Sequence, residues 1–282
     1  MPYKLRPDKM YMMPTHFGPS MGPRQGPCGR KFECKDSPKS TSVSVSFLTN
    51  REQLEEFLPE RFEVGAEPVV SVSASYMTEI EWLAGRGYNV LGVSFPATFN
   101  GERDRAEGGL LTVLWENLCD PILTGREQLG FSKIYCELPE PVALRGDTHC
   151  IASWLGFKFM DMKLTNMEQV TLDPNPAPAA APPDDGVLRG TLHYKYMPRT
   201  GEWGQGDVGY AVLTPAEGSN SVTQELWRGE GTVEFHKARW EDLPTQYHIV
   251  NAFHELEIKE YRGATISKSV GGKDLSDQQI LQ

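Results

Sequence analysis

The chain has 282 residues, 39% of them hydrophobic and 23% charged, and its 38 acidic side chains outnumber the 28 basic ones to give a net charge of −10. That length allows one large domain or two small ones around a sizeable core. The acidic balance argues against nucleic acid or an anionic membrane as the main partner, although it does not bear on a small anion, which answers to local charge alone. Cysteines at 28, 34, 119, 136 and 150 form an odd, scattered set that suits a reducing compartment better than a disulfide scaffold. The N-terminus "MPYKLRPDKMYMMP" lacks the apolar run of a signal peptide, and no stretch approaches a membrane span, so the expectation is a cytoplasmic protein.

Residues 1–41 read as an irregular arm in which Gly-Pro pairs recur without the every-third glycine of collagen. "SVSVSFL" (42–48) alternates polar and apolar residues as a half-buried strand does. In "TNREQLEEFLP", Thr49 and Glu52 suit a capping box, Leu54, Phe57 and Leu58 an apolar helix face, and Pro59 a stop. Strands are predicted at 67–77, at 88–99 with Pro96 marking a bulge or an edge, and at 108–118. "CDPILTGREQLG" frames a short helix over 121–129, with Asp120 as N-cap, Pro121 at the first position and Gly130 just past the end. Further strands are expected at 150–160, 188–198, 207–214, 222–237 and 254–261. The Pro/Ala-rich run at 173–186 reads as a surface loop, and 269–282 as a flexible tail. The sum is a mainly β (α+β) chain with a few short helices, without βαβ alternation or a dinucleotide fingerprint.

The chemistry-bearing residues are few. Cys28 and Cys34 stand six apart with no paired Cys or His motif nearby, and the six histidines form no His-x-His or HExxH pattern, so no metal is expected. "GVSFPA" is not a nucleophile elbow. Glu79 and Glu81 in "TEIEWL" suit either a solvated edge or a proton donor beside a pocket. Lys133 lies about three residues beyond the helix expected at 121–129, at the mouth of the next strand. It reads as a surface lysine, as a buried stem with its head in water, or as a nucleophile. The last requires a neutral amine, and burial against Phe131, Ile134 and Tyr135 would have to lower its pKa against the cation-favouring pull of the nearby helix C-terminus.

"DPILTGREQLGFSK" resembles the signature segment of the acetoacetate decarboxylase superfamily, in which a Gly-Arg-Glu run leads through an aromatic residue to a Schiff-base lysine. "FLPERFEVGAEPVVSV", "YNVLGVSFPATFNGE" and "GTLHYKYMPRTG" resemble further segments of that family in the same order. The likeness runs from about residue 42 to about 266. It implies a single domain over 42–268 with the family's cone-shaped antiparallel β-barrel. It places Lys133 on the Schiff-base lysine, Phe131 on the aromatic residue before it, and Arg126 and Glu127 on the Arg-Glu that fixes the turn. Three positions depart from the pattern: Ile134 replaces a second lysine, Ser132 a proline, and Val90 the glutamate of a Tyr-Asn-Glu-Leu strand that here reads Tyr88-Asn89-Val90-Leu91. Val90 and Ile134 both make the expected pocket more apolar. The N-terminal arginine of the family has candidates in Arg24, Arg30 and Lys39.

The resemblance implies a lysine-iminium lyase, a decarboxylase or C–C bond lyase, acting on a β-keto acid or 1,3-dicarbonyl compound larger than acetoacetate. Lys133 is the nucleophile, Glu79 or Glu81 moves the proton, and Arg86, Arg126, Arg24, Arg30, Tyr88, Val90 and Phe131 form the substrate site. Two alternatives stand beside it: the same fold steering an aldol or dehydration, cyclisation or isomerisation of a polyketide-like compound without a Schiff base, and a non-enzymatic ligand-binding barrel. No cofactor is expected. The partners expected are a small keto substrate and further copies of the chain in a homo-oligomer.

Overall fold

The computed structural model describes residues 4–173 and 183–282, so most of the Pro/Ala-rich run expected at 173–186 lies outside the described residues. In chain order the strands are β1 (Lys39–Leu48), β2 (Phe62–Val64), β3 (Val69–Ile80), β4 (Arg86–Asn100), β5 (Arg105–Glu116), β6 (Lys133–Tyr135), β7 (Val142–Leu144), β8 (Asp147–Trp154), β9 (Phe157–Gln169), β10 (Val187–Pro198), β11 (Gly206–Pro215), β12 (Val222–Phe235), β13 (Glu260–Val270) and β14 (Gln279–Ile280). Three short helices join them: α1 (Arg51–Glu55), α2 (Cys119–Thr124) and α3 (Tyr247–His254). The strands form one sheet in the order β14-β11-β10-β5-β4-β3-β1-β13-β12-β9-β8-β7, with β2 added beside β4 and β6 beside β5. No ladder joins β14 to β7 among the described residues, so the cone of the resemblance takes the form of a continuous sheet with two ends.

The period-two pattern decides the faces. Val43, Val45 and Phe47 of β1 and Val70, Val72, Ala74 and Tyr76 of β3 enter the core. The intervening serines turn to the other face and pair through their hydroxyls, Ser42 with Ser75 at 2.8 Å, Ser46 with Ser71 at 2.8 Å and Ser44 with Thr265 at 2.7 Å. The sheet thus has a dry face and, on these strands, a hydroxyl-lined face. On the dry face Trp115 of β5 is fully buried among Phe159, Phe235 and Phe253, with ring centroids 5.3–6.2 Å away. Its indole N–H donates to Gln246 Oε1 at 2.8 Å, which satisfies the one polar group that burial would strand.

Five expectations change, the first being the single strand expected at 150–160, which is the hairpin of β8 and β9 turned at Leu155 and Gly156. Asn50, not Thr49, precedes α1, and no side-chain cap bond forms; Thr49 is buried instead and its hydroxyl has no partner. The helix expected over 121–129 splits into α2 and a π-type turn at Gly125–Leu129, and Leu118 rather than Asp120 occupies the cap position. Gly130 closes the turn at φ 85°. The strand expected at 254–261 starts only at Glu260, as β13: His254 ends α3, whose Val250 and Phe253 are spaced for a helix face, and 255–259 connect the two. The tail expected at 269–282 to be flexible carries β14, which pairs with Val212 and Leu213, and the backbone carbonyl of Gln282 accepts the N–H groups of Arg103 and Asp104. Pro96 stays in register opposite Gly109; the β4–β5 shift lies between Val93 and Ser94, where the unpaired residue is Thr112 of β5, not the proline.

Candidate active site

The site is built where the antiparallel order of the sheet is broken. β6 is three residues long and runs parallel to β5, pairing Leu114 with Lys133 and Glu116 with Tyr135. Side chains two apart on a strand share a face, so Leu114, Glu116 and Lys133 project to one side and Trp115 to the core. The result is an ion pair of 2.7 Å between Lys133 Nζ and Glu116 Oε1, with side chains 10% and 1% exposed. Lys133 Nζ also donates to the carbonyl of Pro121 at 3.2 Å, and Glu116 Oε2 is buried without a hydrogen-bond partner. The π-type turn makes room for the lysine stem: a Cβ on Gly125 would lie 2.4 Å from Lys133 Cδ and Cε.

Burial sets the electrostatics. Desolvation pulls the Lys133 amine below the usual lysine range against the opposing pull of Glu116, and the positive charge of Arg24 lowers it further. Desolvation likewise pushes the Glu116 carboxyl up, against Lys133. Both directions favour one proton shared within a pair that is neutral overall and drawn toward amine plus carboxylic acid. Of the three side chains expected to supply the burial, one is near the amine. Phe131 does lie near, its ring centroid 5.8 Å from Nζ. Ile134, however, faces another cavity, and Tyr135 is 42% exposed. The neighbouring cation that Ile134 appeared to remove is supplied by Arg24 from the N-terminal arm.

Lys133 opens on a cavity of about 360 Å³. Its walls include Arg24, Phe32 and Cys34 of the arm, Met77 and Ile80 of β3, Trp82, Tyr88, Leu129 and the segment 271–275, and its hydroxyl floor includes Ser40, Ser42, Ser75 and Ser269. Arg24 donates through Nε and Nη2 to Gln128 Oε1 at 3.0 and 2.6 Å and through Nη1 to the carbonyl of Asp274 at 3.0 Å. Burial and the charge of Glu116 raise the Tyr88 hydroxyl, which keeps it a neutral donor. A larger cavity of about 540 Å³ lies on the other side of the 126–134 segment, lined by Phe57, Arg126, Phe131, Ser132, Ile134 and Phe253 among others. Lys133 is not in its lining and opens on the smaller one alone of the two.

The other expected site residues scatter. Glu81 reaches the cavity wall but is exposed and lies 3.5 Å from Arg30, which is itself on the surface. Glu79, at φ 56°, pairs with Lys39 at 2.7 Å on the surface and is not in the cavity lining. Arg86 is exposed and donates to the Leu83 carbonyl. Arg126 donates to the Lys133 carbonyl at 2.8 Å, fixing the turn rather than meeting a ligand in this cavity. Val90 is not in the lining either, but it stands directly across the β4–β5 ladder from Glu116. A carboxyl thus stands across the ladder from position 90, on Glu116. Sequence reading missed Glu116; its one visible signal was a charge at the end of the otherwise apolar run "LLTVLWE". Among the described residues no group of three or more His, Cys, Asp or Glu is placed to hold a metal ion, and no helix is long and apolar enough to cross a membrane.

The family model of acetoacetate decarboxylase matches residues 12–271, and the chain belongs to that family. No curated protein sequence matches it. Among solved structures, an acetoacetate decarboxylase superposes with a TM-score of 0.62 at 15% identity, over 88% of this chain and 91% of the other. The acetoacetate decarboxylase of Legionella pneumophila gives 0.59 at 18% identity, over 91% and 92%. The enduracididine biosynthesis enzyme MppR, complexed with pyruvate, gives 0.60 at 17% identity, over 91% and 95%. At these identities the likeness establishes the fold.

Proposed function

We propose that the chain is a lysine-iminium enzyme, a carbon–carbon lyase of the decarboxylase type, in which Lys133 bonds to the ketone of a β-keto acid or 1,3-dicarbonyl compound larger than acetoacetate. The observation that carries this reading is the buried Lys133–Glu116 pair opening on a closed-in cavity. An amine drawn toward neutrality can attack a carbonyl carbon, and the proton it sheds rests on Glu116. That acid then protonates the carbinolamine hydroxyl, water leaves, and a protonated imine remains. With a β-keto acid, the electrons of the Cα–carboxyl bond flow into the imine, carbon dioxide departs, and the enamine takes a proton back at carbon. Hydrolysis releases the product ketone and the amine. Glu116 replaces Glu79 and Glu81 as the proton carrier in this reading, because it alone of the three touches the amine. Arg24 supplies the cation for the substrate's anionic group in place of Arg86 and Arg30, because it lies in the wall of the same cavity.

Met77, Ile80, Trp82 and Phe32 support a substrate with apolar bulk beside the dicarbonyl unit. A second reading keeps the same amine and makes a C–C bond instead: a related fold, MppR, has been solved with the condensation product of pyruvate and imidazole 4-carboxaldehyde. We extend the proposal to self-association, since Val142 and Leu144 on the sheet-end strand β7 are 66% and 69% exposed. The test of the central reading is borohydride reduction in the presence of a 3-oxo acid. A reduced adduct on Lys133, lost in Lys133→Ala, is expected. Retained turnover in Lys133→Ala would move the chemistry off the amine, and binding without any product would leave a ligand-binding fold.

A further inference from the structure

Gln128 links three points of the N-terminal arm to the turn that precedes Lys133. Its Oε1 accepts two N–H groups of Arg24, and its Nε2 donates to Ser20 Oγ at 3.2 Å and to Met12 Sδ at 2.9 Å. The remaining acceptor of Arg24 is a backbone carbonyl, that of Asp274. The hydrogen-bond acceptors of this guanidinium among the described residues are thus neutral, although the group is half-buried in a cavity wall. Arginine in such a place is ordinarily matched by a carboxylate, because a buried charge without one is costly. Here the fork is oriented and solvated by an amide, and its charge stays available to the cavity.

We propose that Gln128 is a positioning residue of the lysine site: by holding Arg24 with a neutral acceptor it reserves the arginine's charge for an anionic group of the substrate, so that the site selects ketones carrying a carboxylate over their neutral esters. This inference rests on the reading of Lys133 as the imine-forming amine. It has a second consequence. Arg24 lowers the Lys133 pKa from across the cavity, so a carboxylate placed at 128 offsets that effect. The other charged or titratable groups around Arg24 and Lys133 are Asp274, Tyr88, Glu116 and, at the cavity wall, Glu81, Cys34 and Lys273, whose ammonium is held by the Pro215 and Glu217 carbonyls and by Asp277. The Asp274 carboxylate accepts the N–H and hydroxyl of Ser276 and acts on Arg24 through space, favouring its charged form, while Arg24 bonds to the backbone carbonyl of that residue.

The test compares borohydride trapping of 3-oxooctanoate and of its methyl ester by the full chain, followed by intact mass and by the pH dependence of the trapping rate. Gln128→Glu preserves shape and can still accept both N–H groups. It is expected to raise the half-saturating concentration of the acid at least tenfold, to leave that of the ester within about twofold, and to move the rising, acid-side limb of the pH profile to higher pH. Gln128→Met, which loses the clamp without adding charge, is expected to weaken the acid alone and to leave the limb in place. Thermal melting of each variant checks folding. Equal losses for acid and ester, or an unchanged Gln128→Glu, would overturn the role of Gln128 while leaving the imine reading standing. Absence of any adduct in the unsubstituted chain would instead remove the imine reading, and this inference with it.

Discussion

At the scale of single residues the account rests on two side chains that neutralise each other in a dry place. Breaking a buried pair by removing one partner costs more than removing both, because it leaves a lone charge. Lys133→Met is therefore expected to destabilise the fold by about 3 kcal/mol at pH 8. The loss should shrink as the pH falls. Without the ammonium, the folded-state carboxyl of Glu116 lies further above its ordinary 4.5, so the folded chain holds a proton that the unfolded chain has released. Stability relative to the unsubstituted protein must then decline as pH rises from that ordinary value through the folded one. Denaturant melts at pH 6 and pH 8 measure this, and Lys133→Met/Glu116→Gln should recover most of the loss. In Glu116→Gln alone the carboxylate no longer supports the cation. The rising limb of trapping should move to lower pH while the plateau rate falls, by about a hundredfold for a lost proton donor. An unmoved limb would mean that Glu116 does not set the state of the amine.

At the scale of elements, the deciding features are β6 and the turn before it. Gly125 and Gly130 are close together in sequence but do different work. Gly125 has φ −69°, which any residue tolerates, yet a methyl group there meets the Lys133 stem at 2.4 Å. Gly125→Ala should thus displace the amine and abolish trapping while shifting the melting temperature only modestly. Gly130 has φ 85° and a Cβ there would meet Lys195 at 2.4–2.6 Å, so Gly130→Ala should lower the melting temperature more than Gly125→Ala does. Trapping and melting measured together separate the two roles. The strands β1, β3, β4, β5, β10, β11 and β12 were legible because one face of each is dry and the other is not. β6 was not legible as a parallel partner of β5, since three residues carry no periodicity and pairing across a helix leaves no local mark. Glu116 was missed for the same reason: it meets Lys133 only through that ladder. Arg24 could be named as one candidate among several, but an irregular arm gives no register by which to choose it.

At the scale of the whole molecule, one sheet divides a dry core from a hydroxyl-floored cavity, and the arm at one terminus completes the cavity wall. The family resemblance was readable from the lysine segment and extends across the described chain. The roles of Val90 and Ile134 were not readable from it. Val90 lies across the ladder from Glu116, and Ile134 faces a different cavity. The exposed apolar residues of β7 give the self-association expectation a location. Light scattering at micromolar concentration should show an oligomer, and Leu144→Lys should weaken it; a monomer in both would contradict that placement.

The pH dependence of Lys133 modification tests the central claim most directly. The rate at which borohydride fixes a 3-oxo acid to Lys133 should rise to its plateau with a midpoint well below the ordinary lysine value of 10.5. A midpoint at or above that value would show an ordinary ammonium, and would contradict the assignment of a neutral amine beside Glu116.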